Sequence, residues 1–349
     1  MTLVVGVDIG GTKTAAGLVD ESGALLAVRT APTPAARGPE AVLGTAADLV
    51  RGLVADTPGG RGAAAVGVGS AGVVDARRGT VVSATGTIAR WAGTDLRGEL
   101  SRRLGLPVAV DNDVHAHALG EQWRGAAAGH RDVLLVAVGT GVGASVVLGG
   151  RVRHGAHSVA GHAGHLPVPA AAGRPCTCGG SGHVETVAAG PALLAEYRRR
   201  TAAGDGTGRT GAGAPGGIPD SGPGSGPDSG PGGVRGGTPD GTPGGVAHLA
   251  GVAGLAADGD PVASAVLAEG AAALGEAVGG LMNVIDPEVV VVGGGVAGCG
   301  PAWWDALRAA VREQTLPALR DVPVVPAALG GDAALLGAAR LALALEVTG

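Results

Sequence analysis

Aromatic residues are almost absent from this chain. Its 349 residues include no Phe, one Tyr and four Trp, which leaves few rings on which nucleic-acid bases could stack. The net charge is −5 and no basic block stands out. Because nucleic-acid binding depends on a concentrated positive charge, we expect no nucleic-acid partner.

Cysteine and long apolar runs are also scarce. Three Cys in 349 residues argue against a disulfide framework. The opening residues, MTLVVGVDIGG, lack the basic segment of a signal peptide, and no apolar run reaches the roughly 20 residues of a membrane span. We therefore expect a cytoplasmic protein in a reducing compartment, with no membrane partner. The length allows two domains.

Two of the three cysteines lie in the stretch 161–185, GHAGHLPVPAAAGRPCTCGGSGHVE. They form a Cys-x-Cys pair with one histidine on each side, and two thiolates with two imidazoles make a closed, tetrahedral zinc site of the structural kind. The alternative is a set of unconnected loop histidines beside two free thiols. The predicted ligands are His165, Cys176, Cys178 and His183. The same stretch leaves His162 and Glu185 to bind a polar ligand.

Two glycine-rich hairpins punctuate the chain. The apolar strand Leu3 to Ile9 runs into GGTKT at 10–14, and the strand Val133 to Val138 runs into GTGVG at 139–143. Glycine lets backbone N–H groups approach an anion closely, so the pair predicts an internal duplication with a phosphate chain held between two similar halves. Each hairpin alone also fits an ordinary tight turn. The predicted contacts are Gly10, Gly11, Thr12, Lys13, Thr14, Gly139, Thr140, Gly141 and Gly143.

Two further features fit a nucleotide. Asp8, at the end of the first strand, is placed to hold a metal-bound water near a polyphosphate. The strand Val289 to Val292 ends in Gly293, Gly294 and Gly295, where a flat base could lie against backbone.

Asp113 is the predicted general base. The residues Asp111, Asn112 and Asp113 follow the strand Pro107 to Val110 and open a helix, Val114 to Trp123. A strand-to-helix junction holds a proton acceptor rigidly within hydrogen-bond reach of a hydroxyl. The alternative is simple helix N-capping by Asn112 or Asp113.

Thr201 to Val246 is rich in Gly, Pro, Ser, Asp and Thr and carries almost no apolar residues. Such a composition predicts a disordered insertion. Helical patterns resume at 247–257 and 261–286, and a last helix is predicted within 332–347.

Together these residues resemble the ROK family of sugar kinases and repressors, within the actin-like, hexokinase-type ATPases. The resemblance covers most of the chain apart from 201–246. The similar segments are DIGGTKT at 8–14, DNDVHAHALGE at 111–121, AVGTGVGAS at 137–145, GHAGH…CTCGGSGHVE at 161–185 and VVVVGGGVA at 289–297.

The resemblance implies an α/β fold of two actin-like, ribonuclease H-like domains around a central cleft, with a zinc-braced loop. We expect the domains to span 1–112, closed by the helix at 332–347, and 113–331. The implied ligands are ATP, Mg²⁺, structural Zn²⁺ and a sugar that receives a phosphoryl group on its 6-hydroxyl. Asp113 is then the base, Asn112, His165 and Glu185 contact the sugar, and the assembly is a homodimer or homotetramer.

Two positions depart from the family's pattern. The family usually has Cys where this chain has His183, and imidazole can replace thiolate as a zinc ligand. The family's glucose kinases usually have Glu where this chain has His162. A His at this position instead resembles the N-acetylmannosamine kinases of the family. The loop 85–91 also lacks the Asn-Leu pair of glucose kinases. We therefore predict an N-acylated amino sugar as substrate, with glucose as the alternative.

Three other functions remain open. A sugar-responsive repressor of the same family would carry a helix-turn-helix before the first phosphate loop, which here begins at Asp8. A catalytically weak sugar-binding regulator is disfavoured by Asp113 and both glycine loops. An actin-like ATPase with a protein client is disfavoured by the sugar-like stretch at 161–185.

Overall fold

The computed structural model describes residues 2–204 and 246–346. Within this range two five-stranded sheets share one plan, and the first of them is built from residues 3–112. Its strands are β1 (Leu3–Ile9), β2 (Lys13–Asp20), β3 (Leu25–Pro32), β4 (Ala63–Ser70) and β7 (Val108–Asn112). A separate small hairpin joins β5 (Val73–Asp75) to β6 (Thr80–Ser83).

The second sheet is built from residues 133–326. Its strands are β8 (Val133–Val138), β9 (Val142–Leu148), β10 (Arg151–Val152), β11 (Val289–Gly293) and β12 (Val324–Pro326). The spatial orders are β3-β2-β1-β4-β7 and β10-β9-β8-β11-β12. In each sheet the first three strands along the chain run antiparallel and the last two join in parallel. This matched order is what the two glycine hairpins predicted.

Helices cover the sheets and fill the connections. They are α1 (Pro39–Asp56), α2 (Leu96–Leu104), α3 (Asp113–Arg124), α4 (Glu185–Ala188), α5 (Gly190–Gly204), α6 (Leu249–Ala257), α7 (Pro261–Ile285), α8 (Pro301–Gln314) and α9 (Ala333–Glu346). The second core packs α5 to α8 against β8 and β11 around Leu193, Leu267 and Trp303.

The helices α3 and α9 cross at very short range. A Cβ at Gly337 would lie 1.6 Å from the carbonyl oxygen of Ala116, and one at Gly120 would lie 2.1 Å from that of Ala333. Only glycine permits such an approach. The same α9 packs on the first sheet, where Gly6 and Gly67 leave room for its backbone. As α3 starts directly after β7 and also touches β9, it links the first sheet to the second.

One described helix, α7, is long and apolar enough to cross a membrane by composition. However, 61% of its most apolar window is buried inside the fold, and its apolar face belongs to the second core. These are the properties of a core helix.

Some elements differ from the expectations. The strands β3, β5 and β10 were not predicted. The helix α5 continues to Gly204, so the predicted insertion does not begin at Thr201. The rest of that insertion, 205–245, lies outside the described residues. The domain boundary at 112 and 113 stays a prediction.

Candidate active site

A cavity of about 760 Å³ opens between elements of the two halves. Its walls come from the ends of β7, β8 and β11, from the β5–β6 hairpin, and from the stretch 159–185. The predicted site residues that line it are Asn112, Asp113, Gly139, Thr140, Gly141, Gly143, His162, His165, Cys178, Glu185 and Gly294. Residues more than a hundred positions apart thus meet around one space.

Asn112 and Asp113 have different roles at the start of α3, where the sequence left open which of them caps the helix. Asn112 is the N-cap of α3, and its Oδ1 accepts hydrogen bonds from the backbone N–H groups of Val114 and His115 at 2.9 and 3.2 Å. Its Nδ2 donates to the carbonyl of Gly72 at 2.9 Å and to Oδ1 of Asp113 at 2.8 Å. Asp113 is therefore the first residue of the helix and has its carboxylate held in place beside the cavity.

Burial raises the pKa of Asp113 above that of an ordinary aspartate. Burial also raises the pKa of Asp8 to about 7, and the nearby charge of Asp113 contributes to that shift. The ammonium of Lys13 acts in the opposite direction on Asp8. Asp113 lines the cavity, whereas Asp8 and the loop 10–14 do not. Two interacting carboxyl groups with raised pKa values are typical of a site that handles protons or cations.

The first glycine loop closes β1 onto β2. The N–H of Gly10 donates to the carbonyl of Lys13 at 3.1 Å, while Thr12 and Lys13 are exposed. Thr14 differs from the prediction, because it is fully buried and its hydroxyl lies 2.8 Å from that of Thr33. Its side chain braces the hairpin from inside, and we withdraw it as a direct phosphate contact.

The second glycine loop is fastened to Glu185. The N–H of Val142 donates to Oε2 of Glu185 at 2.9 Å. A Cβ at Gly141 would lie 2.7 Å from that oxygen, and one at Gly164 would lie 3.1 Å away. The two glycines thus make room for a carboxylate that touches both the loop 139–143 and the cavity.

The third glycine segment lies at the far wall of the cavity. Gly293 ends β11 and is buried against His117, Gly294 has φ 89° and packs on Val138, and Gly295 opens a short 3₁₀ turn. Only Gly294 of the three lines the cavity.

His162 presents one face of its ring to the same cavity. Its Nδ1 lies 3.0 Å from the carbonyl of Val159, so Nδ1 carries the proton and Nε2 is left as an acceptor. Burial lowers the pKa of His162, and the neighbouring His165 and His115 act in the same direction. Both effects favour the neutral form of the ring.

The four predicted metal ligands converge. Their ligand atoms all lie within 4.8 Å of one another. The Cys176 sulfur is 3.7 Å from Nδ1 of His165, and the Cys178 sulfur is 3.3 Å from Nδ1 of His183. Bonds of about 2.3 Å to sulfur and 2.0–2.1 Å to nitrogen separate such donors by roughly 3.6 Å around a tetrahedral ion. The residues present therefore fit a zinc ion.

Sequence reasoning missed two features of this region. One is the ring of Trp91, which is buried with its Nε1 donating to the carbonyl of Ala71 at 3.1 Å. The other is the contact of His115 and His154 with Asp111. Asp111 lies in β7 and His115 in α3, so no spacing within one element marked their contact, and nothing in the sequence pointed to His154.

Comparison with known proteins gives a consistent result. The model of the ROK family matches residues 4–345. A glucokinase of Streptomyces coelicolor is 35% identical over 98% of this chain and 98% of its own length. A bifunctional enzyme NanE/NanK of Brucella suis is 32% identical over 97% of this chain, which spans 53% of that enzyme.

Solved structures agree with this fold. A ROK family glucokinase from Streptomyces griseus, crystallised with glucose and AMPPNP, has a TM-score of 0.77 and 33% identity, covering 98% of this chain and 99% of that one. A ROK hexokinase from Thermus thermophilus has the same TM-score with 32% identity and full coverage of both chains. With the family model spanning nearly the whole sequence, the chain belongs to the ROK family.

Proposed function

We propose that this ATP-dependent carbohydrate kinase transfers the γ-phosphoryl group of ATP to the 6-hydroxyl of an N-acylated amino sugar. One observation carries the proposal. A single cavity is lined by the half-buried Asp113, by the glycine loop 139–143, and by the polar side chains of Asn112, His162 and Glu185.

Asp113 serves as the general base in this proposal. Its Oδ1 accepts hydrogen bonds from Asn112 and from the backbone N–H of Val114, which fixes the carboxylate in one orientation. It accepts the proton of the sugar hydroxyl while that oxygen attacks phosphorus. In phosphoryl transfer most of the acceleration comes from positioning and from charge stabilisation.

The two glycine loops hold the nucleotide. In the first loop Gly11 and Thr12, and in the second loop Thr140 and Gly141, are placed to offer backbone N–H groups to its phosphates, and the segment 293–295 receives the base. Asp8 is the carboxylate placed to hold the hydration shell of Mg²⁺, which neutralises charge on the phosphates when bound.

The zinc ion has a structural role in this proposal. His165, Cys176, Cys178 and His183 would hold it in a closed coordination shell. His165 lines the cavity as well, so the ion fixes one wall of the sugar site.

His162 supports an N-acylated amino sugar as the acceptor. With Nδ1 donating to Val159, a neutral ring has one lone pair, on Nε2, to offer the substrate. An acylamino N–H is a single donor that suits this acceptor, whereas a carboxylate at the same place would accept two hydroxyls.

Glucose is the second candidate. It is favoured by the 35% identity to a glucokinase over nearly the whole chain and by the glucose bound in a structural relative of 33% identity. A coupled assay of ADP release should be run with glucose, N-acetylglucosamine and N-acetylmannosamine. We expect the highest kcat/KM for an N-acetylated sugar. A preference for glucose would reject the role given to His162, and sugar binding without turnover would indicate a regulator.

The test of the base is Asp113→Asn. Asparagine keeps the acceptor for the Val114 N–H but loses the basic carboxylate, so we expect kcat to fall by about 10²–10⁴-fold while sugar affinity changes little. The control is Asp260→Asn, which keeps a cap on α7 far from the cavity. Turnover retained in Asp113→Asn would exclude Asp113 as the base. The homodimer or homotetramer stays a prediction, for which light scattering is the measurement.

A further inference from the structure

Asp111 is a buried carboxylate that takes no part in the mechanism above. It lies in β7, two residues before Asp113, and is 2% exposed. Each of its oxygens faces a different imidazole. His115 Nδ1 lies 2.9 Å from Oδ1, and His154 Nε2 lies 2.8 Å from Oδ2. These are the lengths of charge-assisted hydrogen bonds.

The two histidines come from different parts of the molecule. His115 lies in the first turn of α3, whereas His154 follows β10 of the second sheet. The second ring nitrogen of His115, Nε2, lies 3.3 Å from the carbonyl of Ala160. Two contacts thus bind the segment 154–160 to the junction of β7 and α3, where Asp113 lies.

The segment 154–160 leads directly to His162. Ala160 N–H donates to the His154 carbonyl at 3.1 Å and so closes the segment on itself. The carbonyl of Val159 then fixes the ring of His162. Any shift of this segment away from Asp111 would carry His162 away from Asp113 and change the width of the sugar site.

Charge makes these contacts sensitive to protonation. A neutral imidazole has one N–H, yet His115 faces an acceptor at each nitrogen, so only its protonated form can donate to both. A buried carboxylate also needs a positive partner to offset its lost hydration. The hydrogen bond to Asp111 raises the pKa of His154, against the effects of burial and of Arg77, while Asp75 adds to the increase. His115 also lies near two other titratable groups, Asp113 and His162.

We propose that Asp111, His115 and His154 are positioning residues that hold the sugar-binding segment 154–162 at a fixed distance from Asp113. The proposal rests on the proposed sugar-kinase function. The contact between Asp111 and His154 is strongest with that imidazole charged. The stabilisation from His154 is complete below the ordinary histidine pKa of 6.5 and is lost as pH rises through the raised value. Sugar affinity should therefore weaken on the alkaline side.

The test compares His154→Ala and His154→Gln with wild type, using glucose and N-acetylmannosamine as acceptors. Alanine removes the donor to Asp111, so we expect the sugar KM to rise about tenfold, with kcat and the KM for ATP within about twofold. Glutamine retains one N–H donor without a titratable group. It should keep most of the sugar affinity and abolish the alkaline rise in sugar KM. The control is His130→Gln, a half-exposed histidine near Glu288 and away from the cavity.

Three results would overturn the proposal. One is a sugar KM in His154→Ala within twofold of wild type at every pH. Another is an equal rise in KM for sugar and for ATP, which would indicate general loosening. The third is a second equivalent of bound metal that His154→Ala loses, which would make the cluster a metal site. If alanine prevents folding, the pH profile of His154→Gln decides alone. Failure of the proposed function itself would appear instead as retained turnover in Asp113→Asn.

Discussion

The carboxyl group of Asp8 couples the first glycine loop to pH. Its pKa of about 7 results first from burial and then from the charge of Asp113. Between the ordinary value of 3.8 and about 7, the folded protein therefore binds a proton at Asp8 that the unfolded chain does not. Because stability falls with rising pH wherever the folded state binds more protons, Asp8 destabilises the ligand-free protein progressively across this range.

Asp8→Asn should remove that dependence. We expect the substitution to stabilise the ligand-free protein by at least about 1 kcal/mol more at pH 8 than at pH 5, since one pKa unit corresponds to about 1.4 kcal/mol. Urea unfolding at both pH values gives the measurement, with Asp321→Asn as the control because that side chain is 98% exposed. Equal effects of Asp8→Asn at the two pH values would contradict the shift.

At the residue scale, the sequence indicated which side chains line the cavity better than it indicated their hydrogen-bond partners. Asp113, His162 and Glu185 were identified from local patterns and do line one cavity. The family-like motif placed Thr14 on the phosphates, but β2 is buried from Thr14 to Val19, and the Thr14 hydroxyl contacts Thr33 inside the fold. The contact of Asp111 with His154 joins positions 43 residues apart, and no local pattern encodes such a pairing.

At the scale of elements, the crossing of α3 and α9 depends on two glycines. In Gly337→Ala the new methyl group would meet the Ala116 carbonyl at 1.6 Å, so the helices must separate. We expect a loss of about 3 kcal/mol, the upper part of the range for overpacking, and a lower midpoint of thermal unfolding. Catalysis should fall as well, because α3 begins at Asp113.

The matched control is Gly44→Ala in α1. A Cβ at Gly44 meets nothing within 4 Å, and alanine is the better helix former by about 1 kcal/mol. We expect this variant to be as stable as wild type or slightly more so. If Gly337→Ala were equally well tolerated, the close crossing of the two helices would not exist in solution.

The prediction of elements worked best for long buried strands. Leu3–Ile9 is buried along almost its whole length and reads as an apolar run. In the edge strand Leu25–Pro32 every residue is exposed or half-buried, and its short apolar start, 25–28, runs into Arg29 and Thr30, so the sequence does not mark it as a buried strand. Its partner β2 and the turn at Gly23 set its place instead.

At the scale of the whole molecule, loss of metal from the cluster should weaken sugar binding before it unfolds the protein. If zinc is bound at 165–183, a chelator should raise the sugar Kd by at least tenfold before it changes the circular dichroism spectrum, because the cluster braces a wall of the cavity and lies outside both sheets. Sugar titration calorimetry with and without chelator is the measurement.

Two single cysteine variants provide the control for that experiment. Cys176→Ser should reproduce the effect of the chelator, whereas Cys299→Ser should not. Cys299 is buried far from the cluster, and burial raises the pKa of its thiol to about 11. Unchanged sugar affinity after complete metal removal would reject the bracing role.

The repeated sheet order could be predicted from the sequence because each half begins with a strand, a glycine turn and a second strand. The helix that was expected at 332–347 to close the first domain is α9, and it packs on the first sheet. The side chains that make this contact were not predicted. Leu336, Ala339 and Leu343 of that helix cover Val4, Val19 and Ala65.

This arrangement has a consequence for synthesis. During translation β1 and β2 leave the ribosome early, but one apolar face of these strands stays uncovered until α9, the last described helix, has been synthesised. Until then the growing polypeptide offers Val4 and Val19 to chaperones or to neighbouring nascent chains. Stop codons placed just ahead of residue 333 should accordingly yield aggregates rather than a shorter enzyme.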